Sequence, residues 1–323
     1  FFDGWYEERL KREHTGERFC IQCHSPVAYL SGFKLDQYST VEGLQNDPGL
    51  SMSIKEGITC TVCHSMTGES GKVKTDYDIA ARAEYTMNPG EDIMYGPLDI
   101  ESIDCIEGLY CHEVQYNSLF KFSESCLPCH EMTVRGAELE MTFSEWQDDT
   151  PFGMSGLVPC QECHMPIKEK RYSDASDRSY YSSHEFLGVD IDLTKDITES
   201  SEEYQNVETL LQSTLELEFG GSTDTDIIRV ENNNTLIIPI TITSLTGHSF
   251  PSGTSFSREA WLETIVTNMD DNSVLFSSGV IQSTTEDLNL EDVSLLVYTS
   301  YLLDVNGDTT NSVPDAYDII RQM

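Results

Sequence analysis

Four copies of one five-residue pattern, Cys-x-x-Cys-His, place thiols and an imidazole close enough to do chemistry together. The cysteines are Cys20 and Cys23, Cys60 and Cys63, Cys126 and Cys129, and Cys160 and Cys163, and the histidines are His24, His64, His130 and His164. Two thiols at this spacing can add to the vinyl groups of one haem while the adjacent imidazole binds its iron. Structural zinc and redox dithiols also use Cys-x-x-Cys pairs, but neither explains a histidine after the pair four times. The pattern therefore predicts four c-type haems.

The remaining histidines predict what binds each iron on its other face. The chain has 8 His, and those outside the four motifs are His14, His112, His184 and His248. Four irons with an imidazole on each face use eight histidines, so the total fits bis-histidine ligation throughout. His14 lies in a stretch, residues 5–18, that we expect to be a short helix able to place an imidazole over a neighbouring porphyrin.

Two further cysteines, Cys105 and Cys111, leave two interpretations open because His112 follows directly. They can form a disulfide that closes a small loop, which an exported location favours and which leaves His112 free to be a distal ligand. Alternatively they attach a fifth haem through a stretched motif, and two irons would then lack a distal histidine. We favour the disulfide.

Charge and motifs together predict an exported protein that does not bind nucleic acid or insert into a membrane. The formal net charge is −37, which repels nucleic acid and anionic lipid. The sequence begins with Phe1, has no apolar stretch long enough to cross a bilayer, and carries haem motifs that are matured outside the cytoplasm. We expect a secreted, extracellular or cell-surface location without membrane insertion, with the periplasm as the alternative.

The pattern of residues predicts three segments. Residues 1–187 lack regular periodicity, so we expect a mostly irregular and α-helical tetrahaem domain with few regular elements, in which polypeptide wraps the haems. Residues 188–213 are an acidic linker and a helix that starts at a capping-box pattern, Ser200–Glu203. Residues 214–323 contain several short alternating stretches, which indicate a small β-sandwich whose loop 246–253 presents His248.

A candidate calcium loop spans residues 304–315 within this last segment. Oxygen-bearing side chains recur at the spacing of a calcium-binding loop, at Asp304, Asn306, Asp308, Thr310 and Asp315. The flanking stretches, 298–303 and 316–323, can be helical, as in an EF-hand half. Thr309 stands where glycine is usual and the last ligand is Asp instead of Glu, so a simple Asn-Gly-Asp turn is the alternative.

Several stretches resemble a large family of multihaem c-type cytochromes. They are Glu56–His64, Tyr110–Phe120, Ser123–His130, Glu145–Trp146, Cys160–Pro166, Ser183–Gly188 and Gly247–Gly253. The resemblance implies that His112, His184 and His248 are distal axial ligands. The family includes tetrahaem, bis-histidine cytochromes that polymerise into extracellular conductive filaments, some of which borrow one distal histidine from the neighbouring subunit. Cys105 and Cys111 depart from the family pattern.

The expected function is electron transfer, and we expect no catalytic residues. An iron with imidazole on both faces has no position for a substrate, and without a methionine ligand its potential is low. By the resemblance, the partners are identical subunits in a head-to-tail filament, together with other redox proteins or extracellular electron acceptors. The alternatives are a monomeric periplasmic shuttle and a multihaem reductase of the nitrite or hydroxylamine type, with its open iron at Cys105, Cys111 and His112.

Overall fold

The computed structural model describes most of the chain, in segments. The described residues are 17–33, 43, 46–55, 57–69, 74–76, 79–81, 85–88, 93–99, 112–148, 158–169, 180–191, 197–220, 228–231, 235–281 and 287–322. The predictions for His14, Cys105 and Cys111 lie outside these residues, as does the side chain of Cys20.

Short helices form around three of the four motifs, as expected. The described helices are α1 (Glu17–His24), α2 (Pro26–Leu30), α3 (Met52–Lys55), α4 (Cys60–His64), α5 (Thr142–Gln147), α6 (Cys160–His164) and α7 (Glu202–Gln212). The third motif is a turn, in which the His130 backbone N–H donates to the Cys126 carbonyl over 3.1 Å. Proline stands in the first turn of α2 and directly before α6, where its missing N–H costs nothing.

The strands are short and numerous. They are β1 (Met66–Glu69), β2 (Lys74–Asp76), β3 (Ile79–Ala81), β4 (Tyr85–Met87), β5 (Ile93–Gly96), β6 (Glu113–Tyr116), β7 (Met132–Val134), β8 (Ala137–Glu140), β9 (Ile167–Glu169), β10 (Tyr180–Ser182), β11 (Leu215–Phe219), β12 (Arg229–Glu231), β13 (Thr235–Ile237), β14 (Ile240–Ser244), β15 (Ala260–Trp261), β16 (Thr264–Thr267), β17 (Val274–Ser278), β18 (Val297–Leu303), β19 (Thr309–Thr310) and β20 (Asp318–Gln322).

The strands lie in small separate sheets. Strands β2, β3, β7 and β8 form an antiparallel sheet in that order, β18 pairs with β15, β19 and β20, and the parallel pair β5–β6 joins Ile93–Gly96 to Glu113–Tyr116. The pairs β11–β14, β12–β13 and β16–β17 are two-stranded. The fold is therefore mixed, with few helices and many short strands, and the described strands after residue 214 do not clearly match one sandwich.

Helix α7 and strand β11 lie where the local patterns predicted a helix and a strand, but the capping box expected at Ser200–Glu203 is wrong, because the N-cap is Ser201 and its side chain makes no capping hydrogen bond. The helix begins after Ser201, whose hydroxyl accepts from the Thr198 backbone N–H over 2.9 Å, and it places Glu202 and Glu203 in the first turn, where the helix dipole favours negative charge. Strands β13 and β14 are interrupted at Pro239, which has no backbone N–H to donate.

The apolar core joins residues far apart in the sequence. Val134, Ala137 and Leu139 of the β7–β8 hairpin pack with Leu302 and Ala316, all at most 4% exposed. A smaller cluster, Ile21 and Ala28 with Tyr29, Phe33, Leu50 and Ile54, holds α1 and α2 together. The segment after residue 297 is thus part of the same core as residues 132–140.

Two compact units divide the chain. The first comprises Phe1–Phe120, Glu124–Ser144 and Phe250–Met323, and the second comprises Lys121–Ser123 and Glu145–Ser249. The first three Cys-x-x-Cys-His motifs belong to the first unit, and the fourth motif belongs to the second with His184 and His248. The domain boundaries expected at residues 187 and 214 stay predictions.

Candidate haem sites

One helical turn brings the reactive groups of a motif to one side of the backbone. In α4 and α6 the two cysteines are three residues apart and the histidine follows at the fourth position. Residues at these spacings lie on one face of a helix. The thiols and the imidazole of each motif can therefore reach one porphyrin edge and its iron.

The described motif cysteines are thiols, the form that adds to a vinyl group. The free thiols include those of Cys23, Cys60, Cys63, Cys129 and Cys163. Burial raises the pKa of the Cys63 and Cys163 thiols. A hydrogen bond to Cys23, together with burial, raises the pKa of the Cys129 thiol well above its usual value.

The first three motifs converge in the first unit. The Cys129 thiol is hydrogen-bonded to that of Cys23, and Cys63 lies close enough to Cys129 for their charges to interact. The imidazoles of His24 and His130 also interact electrostatically. Motifs separated by up to about a hundred residues in sequence are therefore neighbours, as a relay of redox centres needs.

Five of the described imidazoles are anchored through Nδ1 to a backbone carbonyl. The pairs are His64 with Tyr95 at 2.6 Å, His112 with Glu113 at 3.1 Å, His184 with Ser182 at 3.1 Å, His248 with Ser249 at 3.0 Å, and His164 with Leu187. A carbonyl oxygen only accepts, so Nδ1 carries the proton and Nε2 keeps its lone pair. Ligating histidines characteristically have this arrangement, because it fixes the ring and its tautomer.

His164 of the fourth motif lies opposite His248, one of the predicted distal ligands. Their ring centroids are 6.3 Å apart and the ring planes differ by 14°. Metal–imidazole bonds are about 2.0 Å long in zinc sites, and ordinary C–N bonds put a ring centroid about 1.1 Å from its nitrogen. Two imidazoles on opposite faces of one metal ion thus have centroids about 6 Å apart. The centroid separation of His164 and His248 therefore matches the one expected for two imidazoles that bind one iron.

Helix α5 holds both sides of this pair. The Trp146 indole donates to the carbonyl of Val158, two residues before Cys160, over 2.7 Å. A carboxylate oxygen of Glu145 accepts from the backbone N–H of Ser249 over 3.0 Å. Gly247 packs against the same indole, since a Cβ there would lie 3.5 Å from Trp146 Cδ1. Glu145 and Trp146 therefore position His248 relative to the fourth motif.

Replacing Glu145 with alanine should loosen the loop that carries His248. The Ser249 N–H loses its acceptor, and a hydrogen bond of this kind contributes about 1 kcal/mol to the free energy of unfolding. Chemical denaturation should show a loss of that size, and Glu145→Gln, which keeps an acceptor oxygen, should recover most of it. Equal stability of Glu145→Ala and the natural chain would show that this contact does not hold the loop.

The fourth motif is also fixed from its N-terminal side. The Cys160 backbone N–H donates to the Ser123 hydroxyl over 3.0 Å, and the Gln161 side chain donates to the Phe122 carbonyl over 2.9 Å. The Ser123 side chain is buried. The segment that precedes the third motif thus anchors the cysteines of the fourth.

Apolar side chains beside the motifs are exposed on the polypeptide surface. Large ones are Ile58, Tyr116, Phe122, Ile167 and Phe186, between 43% and 69% exposed. Such positions fit packing against porphyrin faces, and Phe120 stacks on His64 with centroids 5.4 Å apart. Two other aromatic residues pack within the protein, because Tyr29 joins the Ile21 cluster and Trp146 supports the His248 loop.

The remaining predicted ligands have defined places. His112 precedes β6 and His184 follows β10. The Nδ1 of His130 faces a carboxylate, with Glu140 Oε1 at 3.8 Å. The geometry pairs His164 with His248, and the distal partners of His24, His64 and His130 stay predictions.

The candidate calcium loop lies on a β-hairpin. The helical flanks expected for an EF-hand half are wrong, because residues 297–303 and 318–322 are strands β18 and β20. The Asp304 carboxylate accepts from the backbone N–H groups of Asn306 and Asp308 at 2.8 and 3.0 Å, and these bonds lower the pKa of Asp304. This is the Asn-Gly-Asp turn that the sequence also allowed, and binding through Thr310 and Asp315 stays a prediction.

Within the described residues, no three His, Cys, Asp or Glu side chains are grouped to hold a metal ion by themselves. In the same part of the chain, no helix is long and apolar enough to cross a membrane. No family model, curated protein or solved structure matches the chain.

Proposed function

We propose that the chain is a tetrahaem c-type cytochrome that relays electrons through bis-histidine haems. The observation that carries the proposal is the pairing of His164 and His248 at 6.3 Å with nearly parallel rings. His164 is the last residue of the fourth motif, and His248 comes from a loop 84 positions later in the sequence. A haem iron alternates between the ferric and ferrous states and so carries one electron.

The histidine geometry supports transfer without catalysis. Each described Nδ1–carbonyl contact leaves Nε2 as the ring nitrogen that can bind iron, at His64 and His164 of the motifs and at the predicted distal ligands His112, His184 and His248. Eight histidines for four irons leave no iron face open to substrate. Because the ligands are held by the backbone, a change of oxidation state requires little movement of the chain.

The placement of apolar residues supports a chain that wraps its cofactors. Side chains that flank the motifs, such as Ile58 and Phe122, are exposed, whereas apolar residues inside the first three motifs, Ile21, Val62 and Leu127, are buried in the protein. We infer that haems supply the missing core beside the motifs, and that the strands after residue 214 serve to present His248.

The intact mass of the purified protein tests the proposal. We expect the mass of the chain plus four haems, with the colour retained in the protein after acid–acetone extraction because thioether bonds hold the haems. A mass without haem would contradict the proposal. Five haems would instead support the reductase alternative, with attachment at Cys105 and Cys111.

The resemblance to filament-forming cytochromes supports a more specific proposal about assembly. Identical subunits associate head to tail outside the cell, with His14 lent across the boundary, and exchange electrons with other redox proteins or extracellular acceptors. Electron microscopy of native material distinguishes filaments from the particles expected of a periplasmic shuttle. Filaments with four low-spin haems formed by a His14→Ala variant would contradict the role of His14.

A further inference from the structure

Glu140 is a buried carboxylate held in place at the end of β8. It is 6% exposed, and its oxygens accept hydrogen bonds from the Thr142 backbone N–H at 3.3 Å, the Thr142 hydroxyl and the Thr254 hydroxyl. Gly253 permits the approach of Thr254, because a Cβ at Gly253 would lie 2.7 Å from the Thr142 nitrogen. Three hydrogen-bond donors therefore hold the Glu140 carboxylate in place.

This carboxylate faces the imidazole of the third attachment motif. Glu140 Oε1 lies 3.8 Å from His130 Nδ1, slightly beyond hydrogen-bond distance. Five other imidazoles present Nδ1 to an uncharged backbone carbonyl, among them His64 and His164. His130 thus differs from these ligands in having a carboxylate as the neighbour of Nδ1.

A carboxylate behind a ligating imidazole changes the metal that the imidazole binds. It attracts the Nδ1 proton, which makes the ring a stronger electron donor, and hydrogen-bonded carboxylates behind histidine are a common means of tuning metal sites. Its negative charge also favours the more positive ferric state, and a buried position weakens the screening by water. Both effects lower the reduction potential of the iron.

We propose that Glu140 is a positioning residue that makes the iron bound by His130 harder to reduce than it would otherwise be. This inference rests on the proposed function, since it assumes a haem at the third motif. It assigns a role to a residue outside the ligand set, and it predicts that one of the four redox centres is shifted downwards by a specific protein charge.

The variant Glu140→Gln tests the inference by redox titration followed spectroscopically. Removing the charge should raise the reduction potential of one of the four components. The expected change is about tenfold in its ferrous-to-ferric ratio, which is about 59 mV for a one-electron couple. The other three components should stay in place. An unchanged titration, or an equal shift of all four components, would overturn the inference.

Two matched variants separate charge from structure. Glu138→Gln removes an exposed charge from the same strand, and Glu131→Gln alters a buried carboxylate that accepts from the Ser144 backbone N–H over 3.0 Å. Neither should shift one component as far as Glu140→Gln does. A shift of the same size in Glu138→Gln would show a general surface-charge effect and overturn the inference.

The variant Glu140→Asp tests the inference if the Glu140→Gln protein does not acquire its haems. Glu140→Asp keeps the charge but withdraws it by one methylene, so the same component should move upwards by a smaller amount, and no movement would contradict the role of Glu140. Absence of haem from the natural chain would remove the proposed function itself. Four low-spin haems with an unchanged Glu140→Gln titration would remove this inference alone.

Discussion

Replacing His248 with alanine is expected to convert one of four ferric haems from the low-spin to the high-spin state. The imidazole that lies 6.3 Å from His164 would be lost. The iron bound by His164 would then lack its second imidazole. Electron paramagnetic resonance should show a new high-spin ferric signal with about a quarter of the haem intensity. Carbon monoxide should then bind to that fraction of the reduced protein.

Methionine at the same position provides the matched control. His248→Met offers a thioether to the vacated position, which should keep the iron low-spin while raising the potential of one redox component, since methionine ligation raises haem potentials. A fully low-spin His248→Ala protein that does not bind carbon monoxide would exclude His248 as an axial ligand.

Removing both cysteines of the fourth motif is expected to abolish the folded state of the second unit. The double variant Cys160→Ala and Cys163→Ala cannot form thioether bonds, so its intact mass should show three haems. Apolar side chains near this motif, such as Phe122 and Ile167, would have no cofactor to pack against. The free energy of unfolding of the second unit should fall by most of the about 5–15 kcal/mol that is typical of a domain.

Limited proteolysis and calorimetry measure this loss. Cleavage should concentrate in residues 145–249, and the corresponding unfolding transition should disappear, whereas the single variant Cys163→Ala keeps one thioether and should lose much less. A cooperative transition of normal size in a three-haem double variant would contradict the view that the haem completes this core.

Local features of the fold were predictable from the sequence because neighbouring residues determine them. Helix α7 follows from a start signal and the spacing of Val207, and β11 from the alternation of Leu215–Phe219. The motif helices α4 and α6 follow from the need to present two thiols on one face. These elements depend little on contacts with distant parts of the chain.

Long-range pairing was not predictable in the same way. The cluster of Val134 and Leu139 with Leu302 joins strands more than 160 positions apart, and no periodicity within either segment reveals the partner. The strand β20 appears where a helix was expected because Ser300 and Tyr301 of β18 pair with Arg321 and Ile320. Tertiary pairing thus outweighed a weak helical preference.

The candidate site divides in the same manner. Spacing and number were enough to propose attachment residues and a set of distal histidines, but the proximity of His164 and His248 required coordinates. Glu145 and Trp146 were named from the sequence, but their support of the His248 loop was not predicted. Glu140 was not named at all. Proximity of Glu140 to His130, ten residues away along the chain, gave the only available signal.

Electron paramagnetic resonance of the fully oxidised natural protein tests the central claim most directly, because it reports the ligands of every iron at once. If imidazole occupies both faces throughout, all four haems give low-spin ferric signals that account for the whole iron content. A stoichiometric high-spin signal would reveal an iron open to substrate and would contradict the assignment of this chain as an electron relay.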